Sequence, residues 1–471
     1  MEWILRGLLY GASLVAAGHA LMFKRDSRAA LGWIAVSLAL PGVGALLYWF
    51  LGINRVRRRA VQLRSEQPAV TPPGPADAPA VRAQLCELAH IADRVTRRPL
   101  LTGNRVEPLV DGEEAYPAML EAIGEAREEV LLCTYILRSD STGRRFADAL
   151  AAAAGRGADV RVIVDGVGER YSRPRAGKLL EDRGLRVARF LPLSLLPPQM
   201  HPNLRNHRKL LVVDGRVGFT GGMNLGDHHV VSRPLPDHRE KPGERVRDLH
   251  FRVEGPVLVQ LEEVFREDWV FCTKEEWPAE RRPAPEAAGE ALCRGIGAGP
   301  DEQFEKLHWI IVGALACAHG RVQIMTPYFL PGRELVSAIK AAALRGVAVE
   351  LLLPERSNIR IVDWATRSML WELLKSDVRV FLGQPPFRHT KLFLVDGHYA
   401  LVGSTNLDER SLRLNFEFNL EVHDEAFVAR LERHFEEACA GARELSLEDV
   451  DGRSLPVRLR DAGARLFGPY L

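Results

Sequence analysis

The sequence predicts an α/β protein: two similar α/β units, each a mainly parallel sheet with flanking helices, preceded by a two-helix transmembrane hairpin. Three observations predict it. Two long apolar runs, almost free of charge, open the chain. The remainder runs twice through one pattern of strand, alanine-rich helix, glycine and strand. Each pass then closes on the same polar phrase, HRKLLVVDGRVGFTGGMN from His207 to Asn224 and HTKLFLVDGHYALVGSTN from His389 to Asn406.

The hairpin occupies residues 1–55, with spans over about 3–23 and 29–51. Only Arg6 and His19 interrupt the first run, and the second carries no charge. Each is about the 20 residues a helix needs to cross the hydrocarbon core. A signal peptide has a much shorter apolar region and no second span behind it. Pro41 and its neighbouring glycines predict a kink in the second span. Lys24, Arg25 and Arg28 lie between the spans; Arg6 and the cluster Arg55, Arg57, Arg58, Arg59 lie beyond them. Positive-inside counting puts both termini and the body of the chain in the cytoplasm. The same arginine cluster suits anionic headgroups.

Residues 56–84 form a Pro-rich linker, with five prolines between Ser65 and Pro79. A second linker, 273–301, separates a first unit at 85–272 from a second at 302–471. In the first unit Glu129–Tyr135 reads as a strand, Arg144–Arg156 as a helix and Gly157–Asp165 as a buried strand. In the second, Val322–Tyr328, Glu334–Arg345 and Gly346–Leu353 repeat the series. The apolar cores of the polar phrases, Leu210–Val213 and Leu392–Val395, are strands closed by the turns Asp214-Gly215 and Asp396-Gly397.

A formal net charge of +2 excludes a generally basic surface of the kind that binds nucleic acid. The six cysteines are scattered, with no C-x-x-C pair, so they read as reduced thiols rather than a disulfide framework or a structural zinc site.

Alternate residues of a strand share a face, so His207 projects with Lys209 and His389 with Lys391. A neutral imidazole is a nucleophile toward phosphorus or a general base, and a lysine beside it is a point charge for phosphate oxygens. Asp214 and Asp396 fall at odd offsets from the lysines and are expected to face away, anchoring the turn or pairing with a charge. Gly222 and Ser404 lack bulk, which lets backbone N–H groups approach an oxyanion, and Asn224 and Asn406 add side-chain donors. A metal fails on ligand supply, with one histidine per unit beside a repelling ammonium.

His207, Lys209, Asp214, Gly222 and Asn224 resemble the first signature of the phospholipase D superfamily, and His389, Lys391, Asp396, Ser404 and Asn406 resemble the second. Within it the chain resembles bacterial cardiolipin synthases along nearly its whole length. Pro41-x-x-Gly44 with Tyr48, Thr326-Pro327-Tyr328-Phe329, Asn406 to Ser411, Asn415-Phe416-Glu417 and Gly468-Pro469 carry that likeness. The resemblance implies two units facing each other across a pseudo-twofold axis, with both imidazoles on one phosphodiester. His207 is then the nucleophile and His389 the acid/base, the lysines and asparagines neutralise phosphate oxygens, and no cofactor is required.

Downstream, Asp248-x-His250-x-x-Val253 aligns with Glu417-x-Asn419-x-x-Val422. Asp248 and Glu417 are expected each to accept a hydrogen bond from the far nitrogen of a catalytic histidine, Glu417 serving His389 within its own stretch. The implied partner is a phospholipid, phosphatidylglycerol, two of which would give cardiolipin and glycerol at the bacterial inner membrane. A hydrolytic or headgroup-exchanging phospholipase D is the alternative, and a phosphodiester nuclease a more distant one that the charge and the spans disfavour. His201, His228 and His229 line up near the first phrase without assigned chemistry, and His19 and His90 read as incidental. Leu191–Pro198 is an apolar segment expected either to dip into the bilayer or to pack on the core.

Overall fold

The computed structural model describes residues 2–24, 27–52, 81–192, 194–195, 198–199, 204–232, 245–277, 285–299 and 305–468. These fall into an N-terminal unit ending at Gly52 and a larger one beginning at Val81. The arginine cluster Arg55–Arg59, the proline run and His201 lie outside the described residues, as do parts of the 273–301 linker and of the Leu191–Pro198 segment.

In the N-terminal unit, α1 (Glu2–Phe23) is long and apolar enough to cross a membrane. The expected second span differs. Instead of one kinked helix, α2 (Ser27–Ala39) stops, the chain turns through Leu40–Gly42, and α3 (Val43–Leu47) follows. Pro41 removes a helical N–H, and Gly42 adopts φ +80, a conformation that ends a helix rather than bending it. The Gly42 N–H donates to Ser13 Oγ of α1 (3.1 Å), and His19 Nδ1 meets the Tyr48 hydroxyl at 2.8 Å. Ala16 and Ala20 sit buried at this contact, where small side chains let helices approach.

The larger unit is built on one fifteen-stranded sheet. Its first half contributes β1 (Leu101–Val110), β2 (Glu129–Thr134), β3 (Asp159–Asp165), β4 (Arg186–Phe190), β5 (Leu210–Val213), β6 (Val217–Gly221) and β8 (Leu249–Glu254), with β7 (Val246–Arg247) lying apart. Its second half contributes β9 (Ala291–Ala298), β10 (Arg321–Met325), β11 (Ala348–Pro354), β12 (Arg379–Gly383), β14 (Leu392–Val395), β15 (Tyr399–Gly403), β16 (Glu417–His423) and β17 (Arg443–Glu444), with β13 (Phe387–Arg388) apart. The strand order is β17-β12-β11-β10-β14-β15-β16-β9-β1-β8-β6-β5-β2-β3-β4. Outward from the central β9–β1 pair, the two halves read the same sequence of equivalents, with β17 as the one extra edge. An antiparallel central pair has a local twofold axis, so the order itself carries the pseudo-symmetry.

The α/β class and the duplication stand, but the sheet is mixed rather than mainly parallel. Within it, parallel pairing is confined to β2–β3–β4 and β10–β11–β12. The expected crossover helices, α4 (Ser141–Gly155) and α5 (Arg333–Leu344), join those strands. The polar phrases instead form antiparallel hairpins, β5–β6 and β14–β15. Asp214 and Gly215, like Asp396 and Gly397, take positive φ at the turn, as tight hairpins require. Buried Asn104 spans the irregularity between β1 and β9: its amide donates to the Leu101 and Ala291 carbonyls, and its oxygen accepts from Val257 N–H.

Candidate active site

Each histidine is fixed by the half to which it does not belong. Asn206 bridges Phe416, so that His207 N–H donates to the Phe416 carbonyl (2.8 Å). On the other side β13 pairs with β7, and His389 N–H donates to the Arg247 carbonyl (2.7 Å). Phe416 and Arg247 immediately precede Glu417 and Asp248. The pairing therefore delivers each carboxylate to the opposite half's imidazole: His207 Nδ1 lies 3.1 Å from Glu417 Oε2, and His389 Nδ1 lies 3.0 Å from Asp248 Oδ2. The expected carboxylate–imidazole bonds form, but crosswise. Glu417 serves His207, not His389, because the bridge between Asn206 and Phe416 sets it beside the opposite half's imidazole.

The imidazoles face each other, with ring centroids 6.4 Å apart and planes at 75°. Both Nδ1 atoms are engaged on carboxylates, which sets the tautomer with the lone pair on Nε2. Lys391 Nζ also lies 2.7 Å from His389 Nδ1. One nitrogen cannot donate to Asp248 and accept from an ammonium, and the carboxylate bond, present in both halves, defines the tautomer. Lys209 Nζ donates to the His207 carbonyl (2.7 Å), and Lys391 makes the equivalent bond to the His389 carbonyl. Tyr135 packs edge-on against His207 at 5.0 Å, and Tyr328 against His389 at 6.1 Å. Neither ring was singled out for chemistry by sequence; tyrosines following a strand carry no spacing signal.

Burial, then the two ammonium groups, hold His207 neutral far below its ordinary value, and burial followed by Lys391 brings His389 to about 3. Burial likewise lowers Lys209 to about 8 and Lys391 to about 7. The carboxylates diverge. Burial would raise Asp248, but Lys391 and the bond from His389 carry it well down, whereas burial wins at Glu417 and pushes it up to about 7 despite Lys209, Ser404 and Asn415.

The remaining expected residues separate into those near the imidazoles and those far away. Gly222 and Ser404 are at the site, but their backbone N–H groups are spent on the Leu249 and Phe418 carbonyls rather than open to an oxyanion. Their smallness serves the carboxylates. A Cβ on Gly222 would stand 2.5 Å from both Asp248 oxygens, and the Ser404 hydroxyl donates to Glu417 Oε2. Asn224 is held through Oδ1 by Ile136 N–H (3.3 Å), leaving its amide N–H groups without a protein partner among the described residues, whereas the Asn406 amide donates to Ser411 Oγ (3.2 Å). Asp214 and Asp396 are not brought to the imidazoles. They cap the opposite ends of β5 and β14, Asp214 accepting from Arg127, Glu128 and Glu129 N–H and Asp396 from His319, Gly320 and Arg321 N–H. Although both belong to the signatures, they are not among the groups that face the imidazoles: they anchor the hairpins, as their odd offsets predict.

His229 has a definite place. Its Nε2 accepts from Asn224 N–H (3.3 Å) and its Nδ1–H donates to the Val246 carbonyl (3.2 Å), tying the first phrase to β7. His90 is exposed on a peripheral helix. Among the described residues no cluster of three or more histidine, cysteine or acidic groups could hold a metal.

A family model described as cardiolipin synthase, phospholipase D-like domain matches residues 119–269 and 311–439, one segment in each half of the sheet. A second, described as phospholipase D-nuclease N-terminal, matches residues 11–52. A cardiolipin synthase A of Pseudomonas putida is 33% identical over 476 residues, covering 99% of this chain and 97% of the relative. One of Pseudomonas aeruginosa is 35% identical over 470 residues, covering 97% and 94%. The crystal structure of phosphatidylserine synthase from Haemophilus influenzae matches the fold with a TM-score of 0.62 at 14% identity, over 82% of this chain and 100% of that one. With both halves matched and relatives aligned end to end, the chain belongs to the cardiolipin synthase family of phospholipase D-like proteins.

Proposed function

We propose that the protein is a membrane phosphatidyltransferase that converts two phosphatidylglycerols to cardiolipin and glycerol through a phosphatidyl-histidine. The observation that carries the chemistry is the pair of opposed imidazoles, each with Nδ1 on a carboxylate and Nε2 left for substrate. His207 Nε2 attacks phosphorus while the bond to the departing glycerol oxygen breaks, and the proton on His389 Nε2 goes to that oxygen. His389, now neutral, takes the proton of the incoming lipid hydroxyl, whose oxygen displaces His207 from phosphorus. Lys209, Lys391 and Asn224 offset the charge on the phosphoryl oxygens.

Burial, then Lys391 and more weakly Lys209, keeps His389 neutral. A phosphodiester anion between the lysines opposes that effect and raises His389 toward the imidazolium, so that its Nε2 takes up a proton from solvent as substrate binds and gives it to the departing oxygen. The assignment of His389 as acid rests on Asp248: an ionised carboxylate stabilises an imidazolium, and Asp248 is the one held ionised.

The N-terminal unit places this chemistry at the bilayer, where α1 spans and the α2–α3 segment returns, with the larger unit cytoplasmic by positive-inside counting. The chain then divides into the hairpin at 1–55 and two halves of one larger unit, 85–272 and 291–471; the expected 273–301 linker is shorter, because its Ala291–Ala298 segment is β9, a central strand of the sheet. The deciding experiment is incubation of the purified full chain in phosphatidylglycerol vesicles followed by separation of lipids and water-soluble products. Cardiolipin with equimolar glycerol is expected. Phosphatidic acid as the only lipid product would instead make the protein a hydrolase, and no turnover of phosphatidylglycerol would reject both.

A further inference from the structure

The C-terminal helix is amphipathic in the wrong sense for a helix that packs on a core. In α6 (Leu455–Arg465), Leu455 is 68% exposed and Leu459 64%, and just beyond it Leu466 is 79% and Phe467 56% exposed. Leu455, Leu459, Ala462 and Leu466 recur at helical spacing on one face, and all four are exposed. The opposite face buries a carboxylate: Asp461 is fully buried, accepting from Arg453 and Arg460. Scattered exposed leucines are ordinary, but a continuous apolar stripe turned to solvent, with the acid turned inward, marks a contact surface.

The charge beside the stripe is one-sided. Arg458 and Arg465 flank it and Arg460 lies further round; Asp461 is the only acid within the helix, and it is buried. Glu372 from the neighbouring helix reaches Arg465 at 3.5 Å. Leucines bordered by outward arginines are the composition of a helix lying in the headgroup boundary of an anionic bilayer.

The helix is also tied to the site. It packs on the helix Arg360–Arg367, with Arg460 over the Trp364 ring at 4.5 Å and Arg453 donating to the Arg367 carbonyl. That helix is held to Phe329 by a bond from Thr366 Oγ1 to the Phe329 carbonyl (2.9 Å). Just before it stand exposed Ile359 and Asn358, and Asn358 accepts from the hydroxyl of Tyr328, the ring beside His389.

We propose that the outward face of α6 is a membrane-contact surface, its leucines entering an anionic lipid surface and Arg458 and Arg465 lying among the phosphates. It holds the larger unit to the bilayer from its C-terminal end, independently of α1, and presents the Tyr328 side of the site to lipid. The proposal does not depend on which reaction the site performs. It is tested on the full chain carrying an environment-sensitive fluorophore at Leu459→Cys, with Glu121→Cys as a polar, exposed comparison and the labelled parent chain as background. In vesicles of phosphatidylglycerol and phosphatidylcholine, lipids bearing a shallow doxyl quencher should reduce emission at position 459 by about half and leave position 121 unaffected. No quenching at 459, or cross-linking of 459 to a second copy of the chain in place of quenching, overturns it. A triple variant, L455E/L459E/L466E, should turn over vesicle phosphatidylglycerol about tenfold more slowly, through lost presentation of the site to the lipid surface. Its turnover of a dissolved short-chain analogue should match the parent's; equal losses on both substrates also overturn it. If the parent turns over no lipid, the proposed reaction fails while the quenching result still decides the contact.

Discussion

The two halves present the same groups to the cleft and set them differently. His389 stands on Asp248, a carboxylate that Lys391 and the imidazole keep ionised; His207 stands on Glu417, which burial pushes up to about 7. The walls differ as well. Beside His207, Arg208 is fully buried against Asp268, with Nε on the Glu417 carbonyl and Asn206 on the same aspartate, and Arg205 is buried against Asp165. Beside His389 the corresponding positions hold Thr390 and Arg388, the latter directly across from Arg247. A duplicated unit starts with equal halves. These differences teach that one half has been made rigid around its imidazole while the other has been given the stronger charge, as a nucleophile that must stay in line and an acid that must hold a proton would require.

The strongest way to break that comparison is to remove each imidazole in turn. His207→Ala and His389→Ala should each lower turnover by about 10³-fold or more. They should differ in what accumulates. With phosphatidylglycerol labelled in the phosphatidyl group, His389→Ala protein denatured in alkaline detergent, where a phosphorus–imidazole bond survives, should retain label through its intact nucleophile, and His207→Ala protein should retain none. Label on the His207 variant alone would reverse the roles.

The carboxylates sharpen the comparison next. Asp248→Asn should cost about 10²- to 10³-fold in kcat, since the neutral amide no longer supports an imidazolium, and Glu417→Gln about tenfold, since a partly neutral group is replaced by a neutral one. Equal losses would erase the asymmetry. The same pair separates by pH. The folded-state value of Glu417, about 7, lies above its ordinary 4.5, so between those limits the folded chain binds more protons than the unfolded one. Its contribution to stability is full below about pH 4.5 and declines as pH rises toward about 7. The stability of the parent relative to Glu417→Gln should therefore fall over that window, by up to about 3 kcal/mol. Asp248, shifted down, has the opposite sign: the parent's advantage over Asp248→Asn should be present above the ordinary value of 3.8 and lost as pH falls below it.

Much of this was legible in the sequence, for physical reasons that can be named. The strand period of two put His207 with Lys209 and His389 with Lys391, and the Asp-Gly turns fixed the hairpins, because both effects are local. The repeat exposed the twofold relation. What stayed hidden depends on contacts between distant segments. Nothing near Glu417 in the chain says that Phe416 lies beside Asn206, so its service to His207 could not be read. The smallness of Gly222 signalled a close approach, but only the fold shows that the approaching group is Asp248 rather than a substrate oxygen. The mixed sheet was missed because apolar strands of four or five residues, such as Leu392–Val395, read alike in either direction. The break at Pro41-Gly42 was read as a kink because composition cannot tell a bent helix from a stopped one.

Gly222 and Ser404 offer a smaller contrast at equivalent positions. A Cβ on Gly222 collides with the Asp248 carboxylate at 2.5 Å, so Gly222→Ala should displace it from His389 and lower kcat about tenfold. Ser404→Ala removes a hydroxyl that donates to Glu417 and accepts from Phe418 N–H, without crowding the carboxylate, and the expected loss is about threefold. A larger loss from Ser404→Ala than from Gly222→Ala would place the demanding carboxylate on the His207 side.

The smallest effect is expected where the halves do not differ. At the far ends of the hairpins Asp214 and Asp396 each accept three backbone N–H bonds, from the segments leading into β2 and β10 respectively. An amide oxygen replaces only part of such a set, and its N–H₂ group faces donors it cannot satisfy. Asp214→Asn and Asp396→Asn should therefore each destabilise the larger unit by about 1–3 kcal/mol, a small fall in the thermal midpoint for a chain of this size. Neither carboxylate reaches an imidazole, so activity per folded molecule should match the parent below the transition, with an unaltered pH profile. Circular dichroism melts in detergent read the first quantity and initial rates at low temperature the second. An unequal pair of melts would show that the asymmetry of the cleft extends through the hairpins to their far ends. A changed pH profile in either variant would mean that these anchors set the imidazoles after all, through the four strand residues that separate them from the cleft.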